Sequence, residues 1–572
     1  MGKRWKIAEP LTEEEQELQN RIIEQFKCPS VIASLLVQRG INQIDKINSF
    51  FEPTLDEVYD PFLLKDMDKG VSRVIRALKA REKITIYGDY DVDGTTSTAL
   101  LYLGLSSLGG DVDFYIPNRM IEGYGLSISG IEQLASEGTR LIISVDCGIN
   151  AVEEVKQINE SGMEIVITDH HNPKDILPDA VAIINPKRSD CLYPFKDLAG
   201  VGVAYKLLLG VYKELGEDSE ENMHRHMELV ALGTVADIVP LIDENRIFAA
   251  LGLQRLIRKK NLGINALISI AGLSQKTLTT SDIIFGIAPR INAAGRMGSA
   301  MRAVELMVCT EQQNGFSYAQ IIERENSLRQ SEDQKTFQEA CEIIENKYRN
   351  LEEATCLVVA SDHWHPGVIG IVASKLVDRY YRPTLMITFK EGIGSGSGRS
   401  IIDFDLFEAL SSVEHLLESF GGHRYAAGFT ILTEYLEQFE KELNNYTRVN
   451  LTKELLIPPL KIDRDIELYE INDNLVHWLS KFAPFGTGNI RPTWRTEDVV
   501  VDNFPYNVGK NHLKLKVKKD GCTLDMIGFN LGDYLPLLRK NTILDIAYSF
   551  EEVMWQNKRS IQGRLKDIRI KR

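Results

Sequence analysis

Short, continuous apolar runs recur within the first third of the chain, at residues 84–87, 112–116, 141–145, 165–168 and 181–184. Between them lie stretches with helical spacing, at 71–80, 95–108 and 151–159. Apolar strands that alternate with helices predict a parallel sheet covered on both faces. Ligands of such sheets bind beyond the carboxyl ends of the strands, so the residues just after each run are the ones to inspect. Upstream, residues 13–18 and 31–36 fit short amphipathic helices, and 1–60 reads as an N-terminal helical appendage without chemistry of its own. Residues 311–350 are charged and free of proline, which predicts one long helix or two serving as a connector. Over 351–454, strands at 356–360 and 384–389 and an apolar helix at 368–377 indicate a second α/β domain. From 455 to 572 the pattern turns β-rich. His512-Leu513-Lys514-Leu515-Lys516-Val517-Lys518 alternates strictly, with basic groups on one face and aliphatics on the other.

The strand ends carry the chemistry. The first run leads into Gly88-Asp89-Tyr90-Asp91-Val92-Asp93-Gly94, the third into Asp146-Cys147-Gly148, and the fourth into Asp169-His170-His171-Asn172. A later apolar stretch, 232–241, encloses Asp237. Carboxylates this close repel one another, and a fold keeps them mainly when a cation neutralises them. A calcium hand is excluded, because position twelve of that loop would be Leu100 and the preceding segment reads as strand rather than helix. A solvated acidic turn is the bland alternative for residues 88–94 alone. Three strand ends that deliver acids and a histidine pair to one edge favour a metal site. Carboxylates with a few imidazoles suit Mn²⁺ or Mg²⁺, and a carboxylate shared between two cations is the usual arrangement for phosphoester hydrolysis.

Composition narrows the classes. The 572 residues are 44% hydrophobic and 26% charged, enough for several cored domains. No apolar run approaches the roughly 20 residues of a membrane span, and the start of the sequence lacks the apolar segment of a secretory signal. Seven scattered cysteines without a Cys-x-x-Cys pair suggest reduced thiols and a cytoplasmic setting, and argue against structural zinc. A net charge of −15 argues against non-specific coating of nucleic acid but leaves room for a local basic groove.

Asp-His-His at 169–171, together with Gly-Asp-Tyr-Asp-Val-Asp-Gly at 88–94, resembles the DHH phosphoesterase superfamily, and within it the RecJ single-strand-specific exonucleases. Further segments carry the resemblance: Arg290-Ile291-Asn292-Ala293-Ala294-Gly295-Arg296-Met297 near the end of the catalytic core; His365 to Ala373, Ser395-Gly396-Ser397-Gly398-Arg399-Ser400 and Gly421-Gly422-His423 in a DHH-associated domain; and Pro484-Phe485-Gly486-Thr487-Gly488-Asn489 near the carboxyl-terminal domain. The resemblance implies a DHH catalytic domain over 61–310, the connector over 311–350, the DHH-associated domain over 351–454 and an OB-like nucleic-acid-binding barrel over 455–572. It implies that Asp89, Asp91, Asp93, Asp146, His170 and Asp237 surround two metal ions, with Asp146 bridging and His171 facing the scissile phosphate. It also departs from the superfamily, because Tyr87 stands where a histidine is common four residues before Asp91.

The glycine-rich run 392–400 reads as a loop, either a flexible turn or a cradle for an anion, in which glycine lets backbone amides approach a phosphate. By resemblance, Ser397, Arg399 and Arg119 hold a 5′-phosphate, with Arg290, Asn292, Arg296 and His423 as further substrate contacts. Lys514 and Lys516, with aromatics at Phe504, Tyr506, Phe529 and Trp555 and a basic final segment (Lys558, Arg559, Arg564, Lys566, Arg569, Lys571, Arg572), suit a barrel that tracks phosphates and stacks bases. His363-x-His365 is set aside as a metal pair because no carboxylate cluster accompanies it in the sequence. The expected function is a Mn²⁺- or Mg²⁺-dependent 5′→3′ exonuclease on single-stranded DNA, in repair and recombination. Its partners by analogy would be a helicase and a single-strand-binding protein, and no membrane. A relative that cleaves nucleotides or short oligonucleotides would not need the basic barrel, and a non-catalytic scaffold would not need its motif acids.

Overall fold

The structure is a computed structural model that describes residues 2–119, 121–348, 354–555 and 558–571, with the side chains of Trp555 and Lys558 excluded. The expected roles of Trp555, Lys558 and Arg572, and the expected boundary at 350/351, therefore lie outside the described residues. The chain divides into two compact units, one built from Met1–Gly40, Gln330–Lys481 and Arg491–Arg572, the other from Ile41–Arg329 and Phe482–Ile490. The expected appendage over 1–60 is thus split. Its first 40 residues open with a strand, β1 (Arg4–Ile7), followed by helices α1 (Glu13–Phe26) and α2 (Ser30–Gln38), and belong with the carboxyl-terminal part of the chain.

The second unit holds a five-stranded parallel sheet in the order β3-β2-β4-β5-β6, from β2 (Lys83–Gly88), β3 (Asp111–Tyr115), β4 (Leu141–Val145), β5 (Glu164–Thr168) and β6 (Ala182–Ile184). All five residues of β4 are buried, as a central strand covered on both faces requires. Each such Leu, Ile or Val side chain contributes roughly 1.5–3 kcal/mol of transfer free energy. Helices α3 (Met67–Ala80), α4 (Val92–Ser107) and α5 (Gly200–Leu215) cover the sheet, with the core of Val71, Val74, Ile84, Ile86, Leu101, Leu141, Ile143 and Val201 between them. Further helices complete the unit, among them α6 (Met227–Ala236), α7 (Asp243–Ile257) and α8 (Ala288–Met297).

The hydroxyl-rich start of α4 has a packing reason. Thr95, Thr96, Ser97 and Thr98 are fully buried, and each donates to a carbonyl four residues back, at 2.6–2.8 Å. The hydroxyls are thereby satisfied within a helix that has no solvated face at that turn.

The connector is one continuous helix, α9 (Gln312–Lys347). In the other unit, β7 (Leu357–Ser361), β8 (Thr384–Lys390), β9 (Ile393–Arg399), β10 (Ser419–His423) and β11 (Ala426–Leu432) form a sheet in the order β10-β11-β9-β8-β7, packed on helix α10 (Pro366–Tyr380). The expected glycine-rich loop is therefore a strand, β9, paired on both sides. Its glycines alternate. A Cβ on Gly394, Gly396 or Gly398 would strike Phe389, Phe429 or Leu406, so one face of β9 is flat to admit those side chains, while Ser395, Ser397 and Arg399 occupy the other face.

Strand β12 (Pro459–Ile462) pairs in parallel with β1. The last domain is a seven-stranded sheet in the order β13-β14-β18-β19-β17-β16-β15: β13 (Arg464–Asp465), β14 (Trp494–Val501), β15 (Tyr506–Val508), β16 (His512–Lys519), β17 (Cys522–Gly528), β18 (Ile543–Trp555) and β19 (Lys558–Ile570). An additional β14–β16 pairing closes β14-β18-β19-β17-β16 into a five-stranded barrel, the strand count of an OB fold. Leu513, Leu515 and Val517 point into its core, and the intervening lysines face outward. Among the described residues no helix is long and apolar enough to cross a membrane.

Candidate metal centre

The carboxyl ends of β2, β4 and β5 converge, and their acids and histidines fall within reach of one another. One oxygen or ring nitrogen from each of Asp89, Asp91 and Asp146 lies within 4.8 Å of the others; the same holds for Asp93, His170 and Asp237, and for Asp146, His170 and His171. His170 Nε2 sits 3.1 Å from Asp146 Oδ1, 3.6 Å from Asp237 Oδ2 and 4.0 Å from Asp93 Oδ2. All seven residues expected around the metals and the scissile phosphate are thus brought together.

Local backbone explains how. Asp146 follows β4 with φ +59°, a left-handed conformation that Asp tolerates better than most residues. The Cβ of any residue other than glycine at position 200 would lie 2.7 Å from Asp146 Oδ1, so Gly200 makes room for that carboxylate. Asp91 caps α4 and accepts from the Gly94 N–H at 3.0 Å. Asp93 reaches across to the start of α5, where the Gly200 and Val201 N–H groups donate to its two oxygens at 2.6 and 2.8 Å. A buried carboxylate is favoured there by the unpaired amides and dipole of the helix terminus. Asp237 follows the last residue of α6.

The cluster is short of positive charge. Burial, and then the charge of Asp91, push the Asp89 carboxyl up to about 8. Burial and Asp91 push Asp237 up to about 7. Burial and the neighbouring carboxylates raise Asp93 and Asp146 well above the ordinary range. His170 is driven down to about 3, by burial first and then by His171, so its ring is neutral and has a lone pair to offer. Asp89 Oδ1 and Asp146 Oδ1 are buried without a hydrogen-bond donor, since the 3.1 Å approach of His170 to Asp146 lacks hydrogen-bond alignment. Buried oxygens left without donors are costly unless something else satisfies them. Hard divalent cations, which take oxygen and imidazole ligands, fit this donor set.

Asp169, the first residue of the Asp-His-His triplet, is absent from the expected site residues, and its role differs from that of its neighbours. Its Oδ1 accepts from His171 Nδ1 at 2.7 Å and from the His170 and His171 N–H groups at 2.7 and 3.0 Å; its Oδ2 accepts from the Ile149 N–H at 3.0 Å. Burial alone would raise this carboxyl, but these donors hold it below its usual value. Burial lowers His171, yet the bond and charge of Asp169 outweigh it and leave the imidazole above its ordinary pKa. Tyr124 also escapes the sequence reading. Its hydroxyl stands 3.3 Å from His171 Nε2. Tyr87, in the position of the superfamily histidine, turns away from the acids: its hydroxyl accepts from the Ser127 N–H, and its ring packs on Tyr115.

Next to the cluster, Asp89, Tyr90, Asp91, Arg119, Tyr124, Asn292 and Arg296 line a hollow of about 260 Å³. Arg119 lies over the Tyr90 ring, 5.0 Å from its centre. Arg290 does not join them. In this structure its guanidinium pairs with Glu323 at 2.5 Å and donates to the Gly286 carbonyl at 2.6 Å. In the other unit, Arg399 Nη1 donates to Ser397 Oγ at 3.2 Å, and both side chains face Gly370 of α10. His423 lies on β10, exposed. Lys514 and Lys516 line the outer face of β16, and Phe504, Tyr506 and Phe529 are exposed near it.

Family models match three parts of the chain: the DHH family N-terminal domain over 83–234, the DHHA1 domain over 353–448 and the RecJ OB domain over 462–567. The single-stranded-DNA-specific exonuclease RecJ of Bacillus subtilis (strain 168) is 38% identical over 99% of this chain and 71% of its own length. The Haemophilus influenzae protein of the same name is 36% identical over 89% of this chain and 91% of its own. The chain belongs to the RecJ family. The crystal structure of Thermus thermophilus RecJ in complex with Mn²⁺ matches this RecJ-family chain with a TM-score of 0.83 at 25% identity, over 99% of this chain and 79% of that one.

Proposed function

We propose that this protein is a 5′→3′ exonuclease that hydrolyses single-stranded DNA with two divalent cations, Mn²⁺ or Mg²⁺. Asp89, Asp91, Asp93, Asp146, His170 and Asp237 would hold them, with Asp146 shared. The observation that carries this reading is the buried, charge-deficient cluster at the strand ends of a RecJ-family chain. Cations bound there supply an acidified water nucleophile and neutralise charge on the phosphoryl oxygens.

The chain's own residues do the rest. Asp169 fixes the His171 ring through Nδ1, leaving Nε2 to meet the scissile phosphate and to protonate the departing oxygen. Arg119, Asn292 and Arg296 offer donors to the phosphate that enters the adjoining hollow. On the other unit, Ser397 and Arg399, with His423 on the same sheet, would bind a terminal phosphate. The outward lysines of β16 and the exposed aromatics would track the strand by charge and stacking. Such an enzyme serves repair and recombination in the cytoplasm, a compartment that suits seven free cysteines. Its substrate calls for partners that expose single strands, such as a helicase or a single-strand-binding protein.

The test is digestion of end-labelled single-stranded DNA with Mn²⁺, comparing a 5′-phosphate with a 3′-phosphate. Mononucleotide release from the 5′ end is expected. Asp91→Ala and Asp146→Ala should each lower the rate more than about 10³-fold while single-strand binding persists; normal cutting by either variant defeats the two-cation assignment.

A further inference from the structure

The segment Phe482–Ile490 is separated from the rest of its unit by 152 residues of chain that belong to the other one, yet it packs into the loop that carries Asp237. That loop runs from the end of α6 to the start of α7 and opens with Ile238 at φ +60°. A β-branched residue in the left-handed region is strained.

The residues that follow Ile238, Pro240 to Ile242, meet the distant segment. The Leu241 N–H donates to the Thr487 carbonyl at 2.7 Å. Leu241 is buried against Gly486, where a Cβ would stand 2.6 Å from Leu241 Cδ1 and 3.0 Å from Cγ. Gly488, at φ +72°, lies under Pro240 and Ile242, with a built Cβ 3.2 Å from each. The segment is itself rigid. Asn489 Nδ2 donates to the Phe482 and Pro484 carbonyls at 2.7 and 2.9 Å, and Gly486 and Asn489 pair through their backbones. The buried Arg246 guanidinium, from α7, donates to the carbonyls of Phe482, Ala483 and Pro484. The two glycines are therefore flat contact surfaces, and the asparagine and arginine hold them in place.

We propose that Phe482–Ile490 is a positioning strap, which sets the loop 238–242 and through it holds the Asp237 carboxylate at the metal centre. The inference rests on the assignment of Asp237 as a ligand. It gives the Pro-Phe-Gly-Thr-Gly-Asn motif a role in the cation site rather than in DNA contact.

The test is calorimetric titration of the full-length protein with Mn²⁺, without DNA, alongside the Mn²⁺ dependence of cleavage. Gly486→Ala pushes a methyl at Leu241, and Asn489→Ser loosens the strap without adding bulk. Each should weaken one of two Mn²⁺ sites about five- to twentyfold and raise the Mn²⁺ needed for half-maximal cleavage by a similar factor, with kcat recovered at saturating Mn²⁺. Adding Leu241→Ala to Gly486→Ala should restore most of the affinity. Mn²⁺ binding within twofold of the parent in both single variants, or equal loss at both sites with no recovery in the double variant, overturns the strap. The control is Asp237→Ala. Unchanged Mn²⁺ binding in it overturns the ligand assignment, whereas a loss in it that the strap variants do not share overturns the strap alone.

Discussion

Asp169→Asn separates the residue that aims His171 from the residues that hold cations. The amide keeps the shape of the side chain but removes its charge and turns one oxygen into a donor. Oδ1 faces three N–H groups and Oδ2 one, so the amide nitrogen falls on the Oδ2 side and confronts the Ile149 N–H. One buried backbone donor is then stranded, which costs about 1–3 kcal/mol of stability. The His171 bond survives in neutral form. Charge-assisted bonds run about 1.5–3 kcal/mol against about 0.5–1.5 for neutral ones, so roughly 1–1.5 kcal/mol of imidazole orientation and charge stabilisation is lost. At 1.4 kcal/mol per decade this corresponds to about a five- to twelvefold fall in kcat/KM. The assay is steady-state cleavage of a labelled single strand at saturating Mn²⁺, with Mn²⁺ affinity measured separately. The fall should lie in kcat, and Mn²⁺ affinity should stay within twofold. Activity equal to the parent, or an Mn²⁺ affinity that drops in step with activity, refutes the division of labour between Asp169 and the ligands.

Arg296→Ala should raise KM for single-stranded DNA severalfold with little change in melting temperature, whereas Arg290→Ala should lower the melting temperature and leave KM near the parent value; steady-state kinetics with thermal melts distinguish them. The fully buried Lys206–Glu244 pair, 2.5 Å apart, also receives Tyr193 Oη on Glu244. Glu244→Gln should cost about 3–5 kcal/mol by stranding the lysine, and Lys206→Met with Glu244→Gln should cost less than the sum of the singles, as read in a denaturant double-mutant cycle. Burial pushes Lys206 down to about 8, so between about pH 8 and its ordinary 10.5 the unfolded chain carries a proton that the folded chain has shed. Stability from this group therefore rises with pH across that window, and the advantage of the parent over the double variant should grow from pH 8 to pH 10; a flat or falling difference contradicts the assignment.

The parallel sheet and its acidic edge were legible because buried strands leave continuous apolar runs and because a strand end fixes where the next side chain points. What the sequence hid were partners far along the chain. Asp93 reads as one more ligand, yet its oxygens also anchor the first amides of a helix that starts at Gly200. Arg290 and Arg296 look equivalent in one motif, yet Arg296 lines the hollow beside the acids while Arg290 pairs with Glu323 on another helix. Asp169 is overshadowed by the two histidines after it, although a carboxylate preceding them at a strand end is well placed to accept their N–H groups. The run 392–400 reads as a loop on glycine content alone. Its period of two, with glycine at 394, 396 and 398, is the available strand signal, and the large side chains that need those gaps lie elsewhere in the sequence.

The placement of the strap has a consequence for synthesis. A ribosome that has finished Arg329 has made most of the metal-binding unit, but Phe482–Ile490 is still 152 residues away. At about 5–20 residues per second that is a delay of roughly 8–30 s. The barrel waits longer still, because β19 lies between β18 and β17 and its Asp567 accepts from Trp5 Nε1 at 2.7 Å, so the first residues of the chain are tied down by almost the last. A nascent chain therefore emerges with its acids in place but with Asp237 unbraced and no closed barrel. The braced loop and the closed barrel are in this way deferred until Phe482–Ile490 and β19 have been made.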